Sequence, residues 1–261
     1  MSALSRADAV VLRTMKYRDT SLIVTFLTRE YGKLAGVVKG ARRTKGGFGS
    51  PLQPMTRVQA MVYRKEGRDL QTIGSCDLIE SYRHIQEDIV RMAAGMKLVE
   101  LVSMIAHEEE DPELFDLVVG ALGALDGAPG DPETLFHWSE IAFAAHLGFE
   151  LTFHSCAGCD RPKAPTGPAG AKAVFHLERG GILCGDCAGL AGEKMTVRRS
   201  TIDLLDRIAG SAGPVEAMAL PVKKEDHAEM DTLLWSFLRR HVAGLRPLRS
   251  GAVFAKILPD P

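Results

Sequence analysis

Two Cys-x-x-Cys pairs, Cys156-Ala-Gly-Cys159 and Cys184-Gly-Asp-Cys187, stand 24 residues apart and constrain this chain more than any other feature. A Cys-x-x-Cys turn places two sulfurs about 2.3 Å from one ion, and two such turns complete the tetrahedron that Zn²⁺ prefers. The intervening Val174-Phe175-His176-Leu177, Gly180-Gly181 and Ile182-Leu183 read as a hairpin entering the second pair, as in a zinc ribbon. With four cysteines as ligands no position stays open for water, so the expectation is one structural Zn²⁺ ion. No thioredoxin-like βαβ pattern surrounds either pair, which argues against a redox dithiol. His154 and His176 lie near enough in sequence to substitute as ligands, but packing or solvent exposure is the simpler reading of both. The fifth cysteine, Cys76, falls in a strand pattern and reads as a small buried hydrophobe.

The stretch before residue 80 has a different texture. Ala9–Leu12, Leu22–Leu27, Leu34–Val38, Val58–Tyr63 and Leu70–Ile79 are short apolar or β-branched runs. Turn signals at Arg18-Asp19, Tyr31-Gly32 and Glu66-Gly67, and a long loop from Gly40 to Pro54, separate them. Five short strands with one long loop suit a small closed barrel of the OB type.

Helical spacing takes over after Tyr82. Ile85, Ile89, Met92, Met96, Val99 and Ser103 follow one helix face, widened by Leu98, Leu101 and Ile105. Asp111-Pro112 and Asp131-Pro132 each supply an N-cap followed by proline at the first helical position. The first of these helices is expected to run to about Leu125 and stop at Gly127. The second is expected to turn Leu135, Trp138, Ala142 and Ala145 inward and to stop at Gly148. Thr201–Ala209 and Asp226–Val242 complete the set, and residues 161–170, rich in proline and glycine, form an insert. The predicted fold class is thus α+β and multidomain: an OB-fold barrel over 1–80, then a helical domain over 81–261 with a four-cysteine zinc module inserted at 154–190.

Net charge is -1, which at face value disfavours a polyanionic partner. The distribution reverses that inference. Residues 1–80 hold 14 Lys+Arg against 7 Asp+Glu, residues 81–150 hold 3 against 14, and residues 151–261 hold 15 against 12. A basic head beside an acidic middle suggests a nucleic-acid surface confined to one region. Lys39, Arg42, Arg43 and Lys45, followed by glycines, suit a phosphate track, and Phe48 is a candidate for base stacking. Lys16, Arg18, Lys33, Arg64 and Lys65 (with Arg68) fall at other strand ends, and Arg198-Arg199 is a weaker extension. The run Glu108-Glu109-Glu110-Asp111 reads as a solvated inter-helix loop. No signal-peptide core and no apolar run long enough to span a bilayer is present, so a cytoplasmic chain without a membrane partner is expected.

Val10-Val11-Leu12-Arg13-Thr14 with Tyr17-Arg18-Asp19-Thr20-Ser21, then Leu27–Gly32, Val38–Arg43 and Pro51-Leu52-Gln53-Pro54, resemble the successive blocks of the RecO family of bacterial recombination mediators. Asp19 stands where glutamate is commoner in that motif and keeps the carboxylate. The resemblance implies an N-terminal OB-fold, a helical domain and a zinc finger. It further implies binding of single- and double-stranded DNA, annealing of complementary strands, and engagement of RecR and of the acidic C-terminal tail of single-strand-binding protein, so that RecA loads onto coated strands. By motif match it assigns Lys39, Arg42 and Arg43 to DNA.

Two other classes compete. A zinc-containing nucleotide-dependent enzyme would need motifs the sequence lacks. There is no Lys-x-Asp-Gly, no G-x-G-x-x-G, no G-x-x-x-x-G-K-[ST] phosphate loop, no H-E-x-x-H and no G-x-S-x-G. A zinc-ribbon module of transcription or translation is opposed only by the whole-chain resemblance. The expected protein is therefore not an enzyme.

Overall fold

A computed structural model describes residues 3–41, 52–65, 67–163 and 170–257. The N-terminal strands close into a barrel of order β1-β2-β3-β5-β4, with β1 (Ala3–Tyr17) pairing with both β2 (Ser21–Thr28) and β4 (Arg57–Arg64). β3 (Gly32–Val38) runs antiparallel to β2 and parallel to β5 (Leu70–Glu80). This is the OB-fold expected from the five runs. One strand departs from expectation: β1 is 15 residues long, where the sequence suggested Ala9–Leu12. Its first half pairs with β4 and its second with β2, and the register shifts between Val11 and Arg13. A strand serving two neighbours has to bend, and the bulge supplies the bend. Alternate residues point inward, so Ala7, Ala9 and Val11 meet Val58, Ala60, Val62, Val24, Phe26 and Ile73 in the barrel core. The inward set of the first half is small alanines, which carries little apolar signal.

The barrel shares a compact unit with the helices that follow: the unit extends to Gly127 and takes back the chain from Pro247. α1 (Arg83–Glu87) and α2 (Ile89–Ile105) replace the single helix expected from Ile85. Asp88 breaks it, because its extended backbone lets the side chain accept from the amides of Val90 and Arg91 as the N-cap of α2. The buried face is the expected one in part: Ile85, Leu98, Val99, Leu101 and Ile105 are buried as expected, whereas Ile89 is exposed, Met92, Met96 and Ser103 are half-buried, and Ala94 and Val102 join the buried set. α3 (Pro112–Gly127) starts where Asp111 accepts from the Leu114 amide at 3.0 Å. α8 (Arg249–Phe254) is capped by Glu100, which accepts from the amides of Arg249 and Ser250 at 2.9 Å each.

The second unit spans Ala128–Arg246. α4 (Pro132–His146), α5 (Arg199–Ala209), α6 (Pro214–Met218) and α7 (Lys224–His241) accompany a four-stranded sheet of order β6-β8-β7-β9. Its strands are β6 (Thr152–Cys156), β7 (Lys172–His176), β8 (Gly181–Leu183) and β9 (Lys194–Arg198). β7 and β8 form the hairpin read from the sequence. On α4 the expected inward face is corrected in part: Leu135 is buried as expected, but Ala145 is exposed and Trp138 and Ala142 are half-buried, while Phe136, His137, Glu140 and Phe143 are buried. Hydrophobic spacing misassigned this face because two of its buried side chains are ionisable.

Candidate metal centre and nucleic-acid interface

The four cysteines converge. One sulfur from each of Cys156, Cys159, Cys184 and Cys187 lies within 4.8 Å of the other three, and Cys159 Sγ is 3.7 Å from Cys184 Sγ. Sulfurs at tetrahedral corners 2.3 Å from an ion stand about 3.8 Å apart, so the donor set fits a closed thiolate centre. Local backbone prepares it. The amides of Gly158 and Cys184 donate to Cys156 Sγ at 3.4 and 3.2 Å. Burial alone would raise the Cys156 thiol, but these amide donors outweigh it and bring it down to about 6. Cys187, hydrogen-bonded among the other sulfurs, is pushed up to about 12. One thiolate is thus favoured among the four sulfurs and a second is opposed; a cation between them would favour ionisation of all four. A Cβ at Gly158 would come within 2.9 Å of Cys187 Sγ, so glycine there is what lets the two turns approach. His154 is exposed, and His176, buried, faces the Ala191 carbonyl through Nε2 at 2.7 Å.

Among the described residues, the cations that the sequence singled out in the first unit fall into two groups. Lys33, Arg64, Lys65 and Arg68 line one cleft of about 180 Å³ between the β4–β5 turn and the start of β3. Tyr31 floors it, with the Arg64 guanidinium 4.5 Å above its ring. Lys16 and Arg18 sit at the β1–β2 turn, and Lys39 follows β3; all three are exposed. Arg18 adopts φ 54 and lies over the Tyr17 ring at 5.2 Å. Register places this group near Lys39, because Lys16 pairs with Leu22 and Leu22 with Val38. Lys33 and Lys39 are six residues apart, roughly 20 Å along an extended strand. The two groups thus bracket β3 by way of the β1–β2 and β4–β5 turns, the loops that OB-folds use for oligonucleotides. Arg42, Arg43, Lys45 and Phe48 lie outside the described residues.

Arg198 is differently occupied. It bonds Glu229 at 3.0 Å and Asp226 at 3.1 Å and donates to the Glu225 carbonyl, so its charge is balanced within the second unit. Arg199 lines a cavity of about 430 Å³ beside Lys172 and Ile202. Sequence reasoning passed over Tyr63. Residues 58, 60 and 62 face inward, so parity turns Tyr63 outward, and its ring packs on Gly74, where a Cβ would come within 2.7 Å. Tyr63 is thus an exposed aromatic next to Arg64. The strand's alternation carried that signal.

Fold and site together define a class: an OB-fold protein whose helical body carries a four-cysteine metal-binding cluster. Comparison with known proteins narrows it. Residues 1–82 match the family model for the N-terminal part of recombination protein O, and residues 86–251 that for its C-terminal part. A DNA repair protein RecO of Salinibacter ruber is 32% identical over 256 residues, 98% of this chain and 95% of that one. Its namesake from Anaeromyxobacter dehalogenans is 31% identical over 245 residues, covering 92% and 94%. The chain belongs to the recombination protein O family of DNA repair proteins. Among the described residues no helix is long and apolar enough to cross a membrane.

Proposed function

We propose that this protein is a recombination mediator that binds single- and double-stranded DNA and anneals complementary strands without covalent chemistry. The observation that carries the reading is the cleft at the β4–β5 turn, where Lys33, Arg64, Lys65 and Arg68 surround Tyr31 on an OB barrel. Lys16, Arg18 and Lys39 extend the phosphate track across β3, and the segment holding Arg42, Arg43, Lys45 and Phe48 follows directly. A span of roughly 20 Å suits the short end of OB-fold site sizes, about 4 nucleotides. Annealing needs only neutralisation of two strands and release of the paired product, which a cationic surface supplies. RecR and the acidic tail of single-strand-binding protein are the proposed protein partners, with RecA loading as the outcome, in the cytoplasm at the nucleoid. The four thiolates are proposed to hold one structural Zn²⁺ in the second unit.

The test is anisotropy of a labelled single strand across a salt series, paired with an annealing assay with and without single-strand-binding protein. Replacing Lys33, Arg64 and Lys65 by alanine should weaken binding at least tenfold at low salt. It should also flatten the log–log salt slope by about 2, near 0.7 per lost phosphate contact. An unchanged slope would remove the cleft from the DNA site. Failure of the unmodified protein to anneal strands would sink the mediator reading.

A further inference from the structure

The buried polar face of α4 meets α7 in a second group of metal-type donors. One ligand atom from each of Glu133, His137 and Asp231 lies within 4.8 Å of the other two. Glu133 and His137 are four residues apart on α4, so a single turn stacks them on one face, and Asp231 reaches across from α7. His137 is fully buried, Glu133 half-buried and Asp231 exposed, so the group is anchored inside and open to solvent on one side.

What sets this group apart from a chance ion pair is the shell behind the histidine. His137 Nε2 stands 3.2 Å from His227 Nδ1, with the two rings stacked at 5.3 Å. His227 Nε2 in turn stands 3.1 Å from Asp131 Oδ2. An ionised carboxylate only accepts, so His227 donates to Asp131 from Nε2. On its other side the His137 ring turns Nδ1 toward Glu140 Oε2 at 3.2 Å and Asp231 Oδ1 at 3.9 Å. A ring backed by an outer contact that leads to a carboxylate is the arrangement of metal-ligating histidines.

We propose that Glu133, His137 and Asp231 form a second metal site, separate from the four-cysteine centre, for a first-row divalent ion. One imidazole with two carboxylates suits Mn²⁺ or Zn²⁺; the nitrogen donor disfavours Ca²⁺ and Mg²⁺, and the absence of sulfur from the set disfavours softer ions. Bound there, the ion ties α4 to α7. Glu140 is placed to accept from a metal-bound water.

The experiment uses the full chain with its cysteine centre loaded. Mn²⁺ is titrated in and free aqua-Mn²⁺ is read by electron paramagnetic resonance, while bound zinc is counted by elemental analysis after incubation with excess Zn²⁺ and desalting. The expected result is one Mn²⁺ equivalent, or a second zinc equivalent, with affinity falling at least tenfold in both Asp231→Asn and Glu133→Gln. These side chains are exposed or half-buried and the replacements are isosteric, so melting curves should show the variants folded. Cys184→Ser should abolish the first zinc and leave Mn²⁺ binding in place. Binding of neither metal beyond the first zinc overturns the proposal, as does equal affinity in folded Asp231→Asn and Glu133→Gln.

Discussion

The guanidinium of Arg57 forks onto the carboxylate of Asp8, Nε to Oδ1 at 2.9 Å and Nη2 to Oδ2 at 2.5 Å. The pair joins β4 to β1 where the barrel closes, and the same guanidinium lies 5.7 Å from the Phe115 ring of α3. Bonding to Asp8 outweighs burial and raises the Arg57 pKa further, so the fork is made by a fixed charge. Arg57→Ala should lower unfolding free energy by about 2 kcal/mol, since it strands a partly buried carboxylate. Arg57→Lys should recover less than half, because an ammonium cannot make both bonds in the fork plane. Urea denaturation of the three proteins measures this, and equal midpoints for wild type and Arg57→Ala would refute it.

Asp131 predicts a pH dependence with a definite sign. Its carboxyl lies below the usual range in the fold, so it contributes stability that is fully present above its unfolded pKa, near 4, and is lost as pH falls through the folded value. It also caps α4, accepting from the Thr134 amide at 2.8 Å. Asp131→Ala should therefore cost about 1–2 kcal/mol at pH 7. The gap between the two proteins should narrow steadily below about pH 4. Melting temperatures measured from pH 7 down to pH 3 check both statements, and a gap that widens on acidification would contradict the sign.

The sequence was most legible where one physical rule acted alone. Alternation in Val58–Val62, proline after Asp111 and Asp131, and the doubled Cys-x-x-Cys spacing each mark their element because nothing competes with them. It misled where tertiary context overrode local pattern. Asp88 looked like one polar residue in a helical run, and only its extended backbone makes it a cap. The alanines of β1 are silent in hydropathy yet line the barrel. On α4, a buried glutamate and histidine satisfy each other, so a face that counts as polar in sequence packs inside. The cations of the cleft were individually visible, but their grouping depends on the β3–β5 pairing, which no local window contains.

Cys76 and the clustered cysteines should separate cleanly in chemical labelling. Burial in the barrel, reinforced by Asp77, pushes the Cys76 thiol up to about 12, so almost no thiolate exists at pH 8. In native, metal-loaded protein, iodoacetamide should leave Cys76 unmodified for hours. A chelator should expose Cys156, Cys159, Cys184 and Cys187 first, and denaturant should be needed for the fifth site. Peptide mass mapping reads the order, and Cys76 labelling ahead of the quartet would show that the barrel opens more readily than burial implies.

The acidic segment before α3 bears on DNA binding through its backbone placement. Lys33 donates its amide to the His107 carbonyl at 2.6 Å, and a Cβ on Gly32, at φ +60, would collide with the Glu109 carbonyl. These contacts seat residues 107–109 against the β2–β3 turn and put Glu108 on the rim of the cleft with Lys33, Arg64, Lys65 and Arg68. A carboxylate at that rim opposes a phosphate and offsets part of the local positive potential, an interaction that salt screens over about 10 Å at 0.1 M. Glu108→Gln should tighten single-strand binding by about threefold at low salt, with the gain vanishing at high salt, and should leave the melting temperature unchanged because the side chain is exposed. Gly32→Ala acts on the same contact from the other side. Displacing the segment, it should destabilise the protein by more than 2 kcal/mol, since both the left-handed backbone and the close approach are lost. Anisotropy and thermal melts of the two variants distinguish charge from position. A Glu108→Gln protein with wild-type affinity at every salt concentration would mean that phosphates do not enter this cleft.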